Sequence, residues 1–141
     1  MAEVPLREGW FYNPKTPGEK AYLVGSRCRL CGYTSFPEKK VCIQCLRDDT
    51  MERMKLGAYG NLETYAVMRV GTVEFSAPYM VGYVRTKEGA SVFTPITGCV
   101  ATDGALEIGE EMELVIEKVK VDGRGNDVIG WKYRPTQVKE G

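Results

Sequence analysis

Two Cys-x-x-Cys pairs carry the clearest chemical signal in the sequence. Cys28 and Cys31 form the first pair, which is followed by Gly32, and Cys42 and Cys45 form the second. Short loops of this kind turn their backbone amides toward the sulfurs, and two such loops can converge on one tetrahedral ion. The spacing therefore predicts a zinc ribbon in which the four cysteines bind one structural Zn²⁺ per chain.

A site made of four thiolates has no open coordination position, whereas a catalytic zinc site keeps one for water or substrate. We therefore expect the metal to hold the shape of the ribbon and to do no chemistry. Two disulfides or an iron ion are the alternatives. Disulfides fit poorly because residues 1–5 lack the basic and apolar regions of a signal peptide, and cytosolic thiols stay reduced. The spacing alone does not separate iron from zinc.

The chain has 141 residues and no histidine. Without an imidazole, Ser-His and Cys-His nucleophile activation are both excluded, as is the commonest general base. Cys99 is the one cysteine outside the ribbon, and we expect it to be a small buried apolar residue rather than a nucleophile. The sequence therefore predicts no catalysis by this chain alone.

The formal net charge is zero, but the charges are unevenly distributed. Residues 20–55 carry eight Lys or Arg against four Asp or Glu, whereas residues 56–141 carry nine against twelve. An acidic second half is a poor match for a nucleic-acid binder, which needs a basic field. No run approaches the roughly 18 apolar residues of a membrane span. We expect a soluble, cytoplasmic protein with no membrane partner.

The elements that must position the cysteines begin with a short N-terminal extension, residues 1–20. Trp10, Phe11 and Tyr12 lie there, and these aromatics either cap the ribbon or dock on another protein. The turn-rich residues 13–18 end any regular element. The ribbon follows as residues 21–55, and its first strand is predicted at residues 21–25.

From about Leu56 the sequence changes to short alternating runs separated by Gly, Pro and Asp, which is typical of a small all-β barrel. Strands are predicted at residues 61–70, 79–86, 91–99 and 111–121 and around residues 129–133, within a barrel spanning residues 56–135, and residues 136–141 form a tail. Leu62, Ala66, Met68 and Val70 should share one face of the first barrel strand, and Pro95 indicates an edge or a bulge in the third. The apolar phase changes along 111–121, which predicts a β-bulge at Glu117 and Lys118.

Five strands with one strongly bent member fit an OB-fold barrel. The order of several motifs then resembles a known family in which a rubredoxin-like zinc ribbon precedes an OB-fold. These motifs are Gly25-x-x-Cys28-x-x-Cys31-Gly32, Phe36-Pro37, Cys42-x-x-Cys45, Ala77-Pro78-Tyr79-Met80-Val81-Gly82, Glu88-Gly89 and Leu106-x-Ile108-Gly109. The expected fold is thus mainly β, with a zinc ribbon followed by a five-stranded OB-fold barrel.

The resemblance implies an accessory subunit of an acyl-CoA thiolase or acyltransferase complex. Proteins of this family dock on thiolases, hydroxymethylglutaryl-CoA synthases or related enzymes, stabilise them and line their acyl-CoA channel. The catalytic residues belong to the partner. We expect a thiolase-like catalytic subunit as partner, two copies of each chain, and a coenzyme A thioester at or near the interface.

Several residues are candidates for contact with the acyl-CoA or the partner. Phe75 lies in a loop between two barrel strands and either enters the acyl channel or folds back on its own barrel, and Tyr79 follows that loop. Arg27 and Arg29 flank the first cysteine pair, as Lys39 and Lys40 precede the second, and they could meet coenzyme A phosphates or an acidic partner surface. The remaining candidates are Trp10 and Phe11.

A single-stranded nucleic-acid-binding module is the alternative, since zinc ribbons and OB-folds both serve that role. Such a surface combines a basic groove with exposed stacking aromatics. Tyr65, Tyr79, Tyr83 and Trp131 are the candidate aromatics. The acidic barrel makes nucleic acid the less favoured partner.

Overall fold

A computed structural model describes residues 3–14, 18–71, 77–102 and 104–136. The regular elements within this part of the chain are all strands. In chain order they are β1 (Glu3–Pro5), β2 (Phe11–Tyr12), β3 (Tyr22–Cys28), β4 (Thr34–Ser35), β5 (Met51–Leu56), β6 (Tyr59–Met68), β7 (Tyr79–Thr86), β8 (Ser91–Ile96), β9 (Glu111–Val121) and β10 (Asp127–Pro135). None of the described elements is a helix with the length and hydropathy of a membrane span.

The ribbon is a small antiparallel sheet built around β3. This strand pairs with β2 and β4, and also with β5 along six consecutive residue pairs from Leu23–Leu56 to Cys28–Met51. Residues 23–26 of β3 are buried in succession, so both faces of the strand are covered there, and Leu23 and Ser26, which lie on opposite faces, are fully buried. The last residue of β3 is Cys28, so the strand delivers the first metal ligand directly to the end of the sheet.

The second sheet closes into the predicted five-stranded barrel. β6, β7 and β8 form an antiparallel meander, and β9 pairs with both β6 and β10. The barrel closes between β8 and β10, which run parallel and meet at Ile96 and Tyr133. This circular order, β6-β7-β8-β10-β9 and back to β6, is a closed Greek-key barrel and confirms the OB-fold.

The predicted bulge in β9 is present, but one residue further along. Lys118 pairs with Ile129 and Lys120 pairs with Val128, so Val119 is the extra residue. An inserted residue changes which side chains face inward, as the phase change in the sequence required. The prediction of a bulge in this strand is therefore confirmed, but its predicted position at Glu117 and Lys118 is wrong.

A second bulge, in β6, corrects another prediction. The register with β7 shifts between Leu62 and Thr64, which leaves Glu63 as the extra residue. Beyond this point Tyr65 and Val67 pack against the core, whereas Ala66 and Met68 are exposed. Leu62 therefore does not share a face with Ala66, Met68 and Val70, because the bulge reverses the phase between them.

Pro95 lies in β8, opposite Val81 of β7. On its other side β8 has a single paired residue, Ile96, so most of that edge is open to other donors. The indole Nε1 of Trp131 donates a hydrogen bond to the carbonyl oxygen of Phe93 at 3.1 Å. A proline is tolerated here because this strand behaves as an edge over most of its length.

The ribbon and the barrel share one hydrophobic core. Leu23 and Leu56 of the ribbon belong to the same buried cluster as Val84, Val92 and the other barrel residues. An aromatic cluster continues this core toward the N-terminus, and we call it the junction cluster: Trp10, Phe11, Phe36 and Trp131. Trp10 stacks on Trp131 with ring centroids 5.7 Å apart and meets the ring of Phe36 edge-on at 5.7 Å. The N-terminal segment therefore packs where the two modules meet.

The extension also adds a strand that the sequence analysis did not anticipate. β1 runs parallel to β10, with Glu3, Val4 and Pro5 opposite Asp127, Val128 and Ile129. The Leu6 N–H then donates to the Ile129 carbonyl oxygen. The extension is thus attached to the barrel by backbone hydrogen bonds as well as by aromatic packing.

Candidate metal centre

The four cysteines of the two pairs converge on one point. Their Sγ atoms all lie within 4.8 Å of one another. The Cys28–Cys45 sulfur pair is separated by 3.8 Å and the Cys31–Cys42 pair by 3.5 Å. Zn–S bonds of about 2.3 Å in a tetrahedron place the sulfurs about 3.8 Å apart. The donor set and its spacing therefore fit a zinc tetrathiolate.

Each cysteine pair sits on a tight loop that ends in a residue of left-handed conformation. In the first loop the Gly32 N–H donates to the Cys28 carbonyl oxygen at 3.0 Å, and Gly32 has a φ of 81°. In the second loop the Leu46 N–H donates to the Cys42 carbonyl oxygen at 2.7 Å, and Leu46 has a φ of 58°. Glycine adopts this conformation at low cost, whereas leucine rarely does. The second loop therefore relies on its surroundings to hold Leu46, whose side chain is 80% exposed.

Hydrogen bonds to sulfur support the thiolate state at part of the site. The Cys45 N–H donates to the Cys42 Sγ at 3.3 Å, and the Thr50 hydroxyl lies 3.2 Å from the Cys28 Sγ. The hydrogen bond between Cys28 and Thr50, aided by the backbone N–H groups of Cys31 and Leu30, lowers the pKa of the Cys28 thiol to about 6. Thr50 was missed by the sequence analysis because nothing in the spacing of the cysteines points to it.

The proximity of the four sulfurs has the opposite effect elsewhere in the site. The hydrogen bond shared with Cys31, followed by burial, raises the pKa of the Cys45 thiol to about 12. Four thiolates this close cannot all carry a negative charge unless a cation is among them. A divalent ion supplies that charge, and four sulfur donors favour zinc over harder cations. The arrangement suits a structural metal and leaves no coordination position for a substrate.

The metal centre is covered unevenly. Cys28 and Cys42 are buried, Cys45 is half-buried and Cys31 is exposed. Buried hydroxyl groups rather than apolar side chains fill much of the ribbon interior, and the Ser26 and Ser35 Oγ atoms share a hydrogen bond of 2.8 Å. Such an interior supplies little hydrophobic stabilisation, so the sulfur cluster is the main device that joins the two loops.

The two arginines beside the first loop bind to acceptors within the chain. Arg27 donates to the Thr34 hydroxyl at 3.0 Å and to the Glu88 carbonyl oxygen at 2.8 Å, which links the ribbon to the turn after β7. Arg29 donates to the Asp49 carbonyl oxygen at 2.7 Å. A cleft of about 610 Å³ lies at this junction and is lined by residues of both modules, among them Tyr33, Lys39, Arg85 and Ser91. A role of Arg27 and Arg29 toward acyl-CoA stays a prediction.

The other predicted contact residues are scattered rather than gathered around the cysteines. Trp10 and Phe11 are half-buried in the junction cluster, and Tyr79 is half-buried at the start of β7. Phe75 lies outside the described residues. Cys99, predicted to be buried, is half-buried and packs against the core, and its lack of a nucleophilic role stays a prediction. Contacts of these side chains with a partner stay predictions.

The aromatics of the nucleic-acid alternative do not form one exposed platform. Trp131 is only 8% exposed. Tyr65 packs against the core, and its hydroxyl accepts a hydrogen bond from the Gly104 N–H. Tyr83 alone among the four has a clearly exposed ring.

Comparison with known proteins agrees with this geometry. Residues 19–52 match the family model of the ChsH2 rubredoxin-like zinc ribbon domain, and residues 55–117 match that of the ChsH2 C-terminal OB-fold domain. Among curated relatives, a DUF35 domain-containing scaffold protein of Methanothermobacter thermautotrophicus is 36% identical over 116 residues, covering 80% of this chain and 86% of the relative.

Two further similarities concern enzyme complexes. The benzoylsuccinyl-CoA thiolase subunit BbsA of Thauera aromatica is 28% identical over 117 residues, covering 83% of this chain and 78% of the subunit. Among solved structures, a chain of the Ltp2-ChsH2(DUF35) aldolase superposes with a TM-score of 0.64 at 26% identity, covering 82% of this chain and 86% of that one.

Proposed function

The chain belongs to the DUF35 family of ChsH2-type proteins, in which a rubredoxin-like zinc ribbon precedes an OB-fold, and from this premise we propose that it is the accessory subunit of a thiolase-type acyl-CoA enzyme. In this role it binds a thiolase-like catalytic subunit and stabilises it. The partner provides the nucleophile and the acid and base groups for carbon–carbon bond cleavage or formation.

The observation that carries this proposal is the closed sulfur cluster. Four cysteine sulfurs within 4.8 Å of one another saturate a tetrahedral ion, so the metal has no position for a thioester carbonyl. The sequence contains no histidine that could act as a base elsewhere. Relatives of matching length are named as a scaffold protein and as a thiolase subunit, which supports a role in assembly.

The proposal includes finer features of the complex. The chain shapes the acyl-CoA channel of its partner through Phe75 and Tyr79, with Arg27 and Arg29 toward the coenzyme A phosphates. The coenzyme A thioester binds at or near the interface. Thiolases are usually dimers, so a symmetric assembly of two copies of each subunit is the simplest arrangement. A cytoplasmic location suits a reduced tetrathiolate.

Co-expression with each thiolase-like protein of the source genome, followed by gel filtration and mass determination, tests the proposal. We expect one peak that contains both chains in equal amounts, with the mass of a two-plus-two complex. A matched control is a thiolase from an unrelated pathway, which should elute separately. Elution of this chain alone in the presence of every one of these proteins would contradict the proposal.

A further inference from the structure

Three strands of the barrel present an apolar face to solvent. The face lies on the outer side of β6, β7 and β8, opposite the barrel interior. Its members are uncharged, and we call them the outer sheet face: Thr64, Ala66, Met68, Tyr79, Val81, Tyr83, Phe93 and Pro95. Seven of the eight are apolar or aromatic, which is unusual for the solvent side of an antiparallel sheet.

The strand register shows that these side chains share one side. Tyr83 pairs with Thr64 on one side and with Phe93 on the other. The rings of Tyr83 and Phe93 lie 5.2 Å apart, and these side chains are 44% and 54% exposed. Between them and the core lies the sheet itself, whose inward residues Met80, Val84 and Val92 are buried. The face is therefore a surface separate from the barrel core.

The size of the face matches the centre of a protein interface. Three strands about 4.8 Å apart, each contributing up to five residues at about 3.3 Å per residue, cover about 240 Å² in projection. An interface of standard size buries about 800 Å² on each partner, with an apolar, aromatic-rich centre and a polar rim. The outer sheet face would supply that centre, and neighbouring polar residues would supply the rim.

The charges around the face favour a neutral partner surface. At its border Arg85 donates to the Glu63 carboxylate at 3.0 Å and to the Gly89 carbonyl oxygen at 2.8 Å, and Ser91 donates to the same carboxylate at 2.6 Å. Arg85 is thus neutralised within the chain. A strand of nucleic acid needs cations for its phosphates, and the face itself has none.

The strands behind the face are closely packed. A Cβ atom on Gly82 would lie 2.5 Å from the Thr64 carbonyl oxygen, which shows how closely β6 and β7 approach behind it. On the other side the Trp131 indole fixes the carbonyl of Phe93, the most exposed ring of the face. A surface that does not need to be ordered on binding retains more of the interaction free energy.

From the register, the exposure and the neutralised border we infer that the outer sheet face is the surface on which the thiolase-like subunit docks, through an uncharged apolar patch of its own. This inference rests on the proposed function and deepens it, because it assigns the docking surface to β6, β7 and β8. Tyr83 and Phe93 lie at its centre. The sequence analysis considered Tyr83 only for stacking on nucleic acid and did not name Phe93.

Affinity measurements with the thiolase-like proteins of the source genome test the inference. Phe93→Glu and Tyr83→Glu each place a charge in the face, and Phe93→Ala removes a ring without adding charge. The matched control is Val121→Glu, which changes a 51% exposed strand residue at the far end of β9. We expect the dissociation constant to rise at least about 30-fold for both glutamate variants and less than about threefold for the control. Thermal melting of each variant checks that the barrel is intact.

The outcomes separate this inference from the proposed function. Wild-type chain that binds the subunit, together with glutamate variants that bind equally well, would overturn the docking surface while leaving the proposed function in place. Wild-type chain that does not bind would overturn both. Sedimentation of the chain alone and titration with a fluorescent single-stranded oligonucleotide test two other occupants. A dimer that Phe93→Glu dissociates, or oligonucleotide binding that it abolishes, would reassign the face to a second copy or to nucleic acid.

Discussion

The ribbon and the barrel use different means to hold their shape. The barrel buries a cluster of large apolar side chains, among them Leu62, Met112 and Tyr133. The part of the ribbon around the metal buries cysteines and hydroxyl groups instead, and it exposes Leu30, Ile43 and Leu46 on its loops. A module of this size cannot bury enough apolar surface to fold without help. In the ribbon the metal takes the place of a hydrophobic core, whereas the barrel has such a core and needs no metal.

The two modules are nevertheless connected. Leu23 and Leu56 of the ribbon sheet lie in the barrel core, and Arg27 bridges to the Glu88 carbonyl oxygen. The end of the ribbon nearest the barrel is therefore supported by hydrophobic packing, and the end with the cysteines by the metal. Metal loss and core mutations should affect opposite ends of the molecule.

Metal removal should produce the largest difference in stability between the ribbon and the barrel. Zinc binding contributes about 10 to 16 kcal/mol to the folding of small zinc modules. We expect a strong chelator, or the Cys28→Ser/Cys45→Ser double variant, to abolish amide-exchange protection in the cysteine loops and weaken it in β3 and β5. Protection in β7, β9 and β10 should persist. Hydrogen-exchange mass spectrometry with and without metal measures both modules in one experiment, and uniform loss of protection would contradict the division.

A cavity in the barrel core should give the next largest effect. Leu62 is 1% exposed, and truncation of a buried leucine to alanine costs about 2 to 5 kcal/mol. Leu62→Ala should lower the free energy of unfolding by about 3 kcal/mol in urea while the purified protein still binds one metal ion. The matched control is Leu30→Ala, because Leu30 is 67% exposed on a cysteine loop and should change stability by less than about 0.5 kcal/mol.

Loss of a ring from the junction cluster, which contacts both modules, should lower the stability of the protein by an intermediate amount. Trp10 stacks on Trp131 of the barrel and contacts Phe36 of the ribbon. Trp10→Ala should lower stability by about 1 to 3 kcal/mol, since a half-buried aromatic loses both area and ring contacts. Thermal melting followed by circular dichroism measures this loss. Tyr83→Ala, at an exposed ring, serves as the control, and an equal loss in both variants would argue against a special role of the junction.

The smallest effect concerns Glu63, the bulge residue of β6. Hydrogen bonds from Ser91, followed by those from Arg85, lower the pKa of the Glu63 carboxyl. Because the folded-state pKa is depressed, the stabilisation is present above the unfolded value of about 4.3 and is lost as pH falls through the folded pKa. The pair is partly exposed, so Glu63→Gln should cost at most about 1 kcal/mol at pH 7. The difference between variant and wild type should vanish in melts at low pH, and a difference that persists there would show that charge is not its cause.

Several features of the fold follow directly from local sequence. The cysteine spacing is set by two short loops, so it identifies the cluster without knowledge of the rest of the chain. The limits of β7 and β9 agree with the alternating runs at residues 79–86 and 111–121. In both cases the signal lies within a few neighbouring residues.

Other features depend on distant parts of the chain and left no local signal. In β6 the apolar residues occupy both phases, with Tyr65 and Val67 alternating with Ala66 and Met68, so the sequence does not reveal which set faces the core. The parallel pairing of β1 with β10 joins residues more than 120 positions apart. The left-handed conformation of Leu46 is imposed by the cysteine loop, because leucine itself disfavours it. The bulge at Glu63 determines which side chains of β6 point outward, so the members of the outer sheet face in this strand do not follow from the sequence alone.

The central claim is that this chain organises a catalytic partner and does no chemistry itself. Its most direct test is the turnover of an acyl-CoA thioester by the metal-loaded chain alone, by the thiolase-like subunit alone and by the two together. The account predicts no turnover above background by this chain alone, and activity that requires the partner's residues in the mixture. Thioester cleavage or condensation by the isolated 141-residue chain would contradict it.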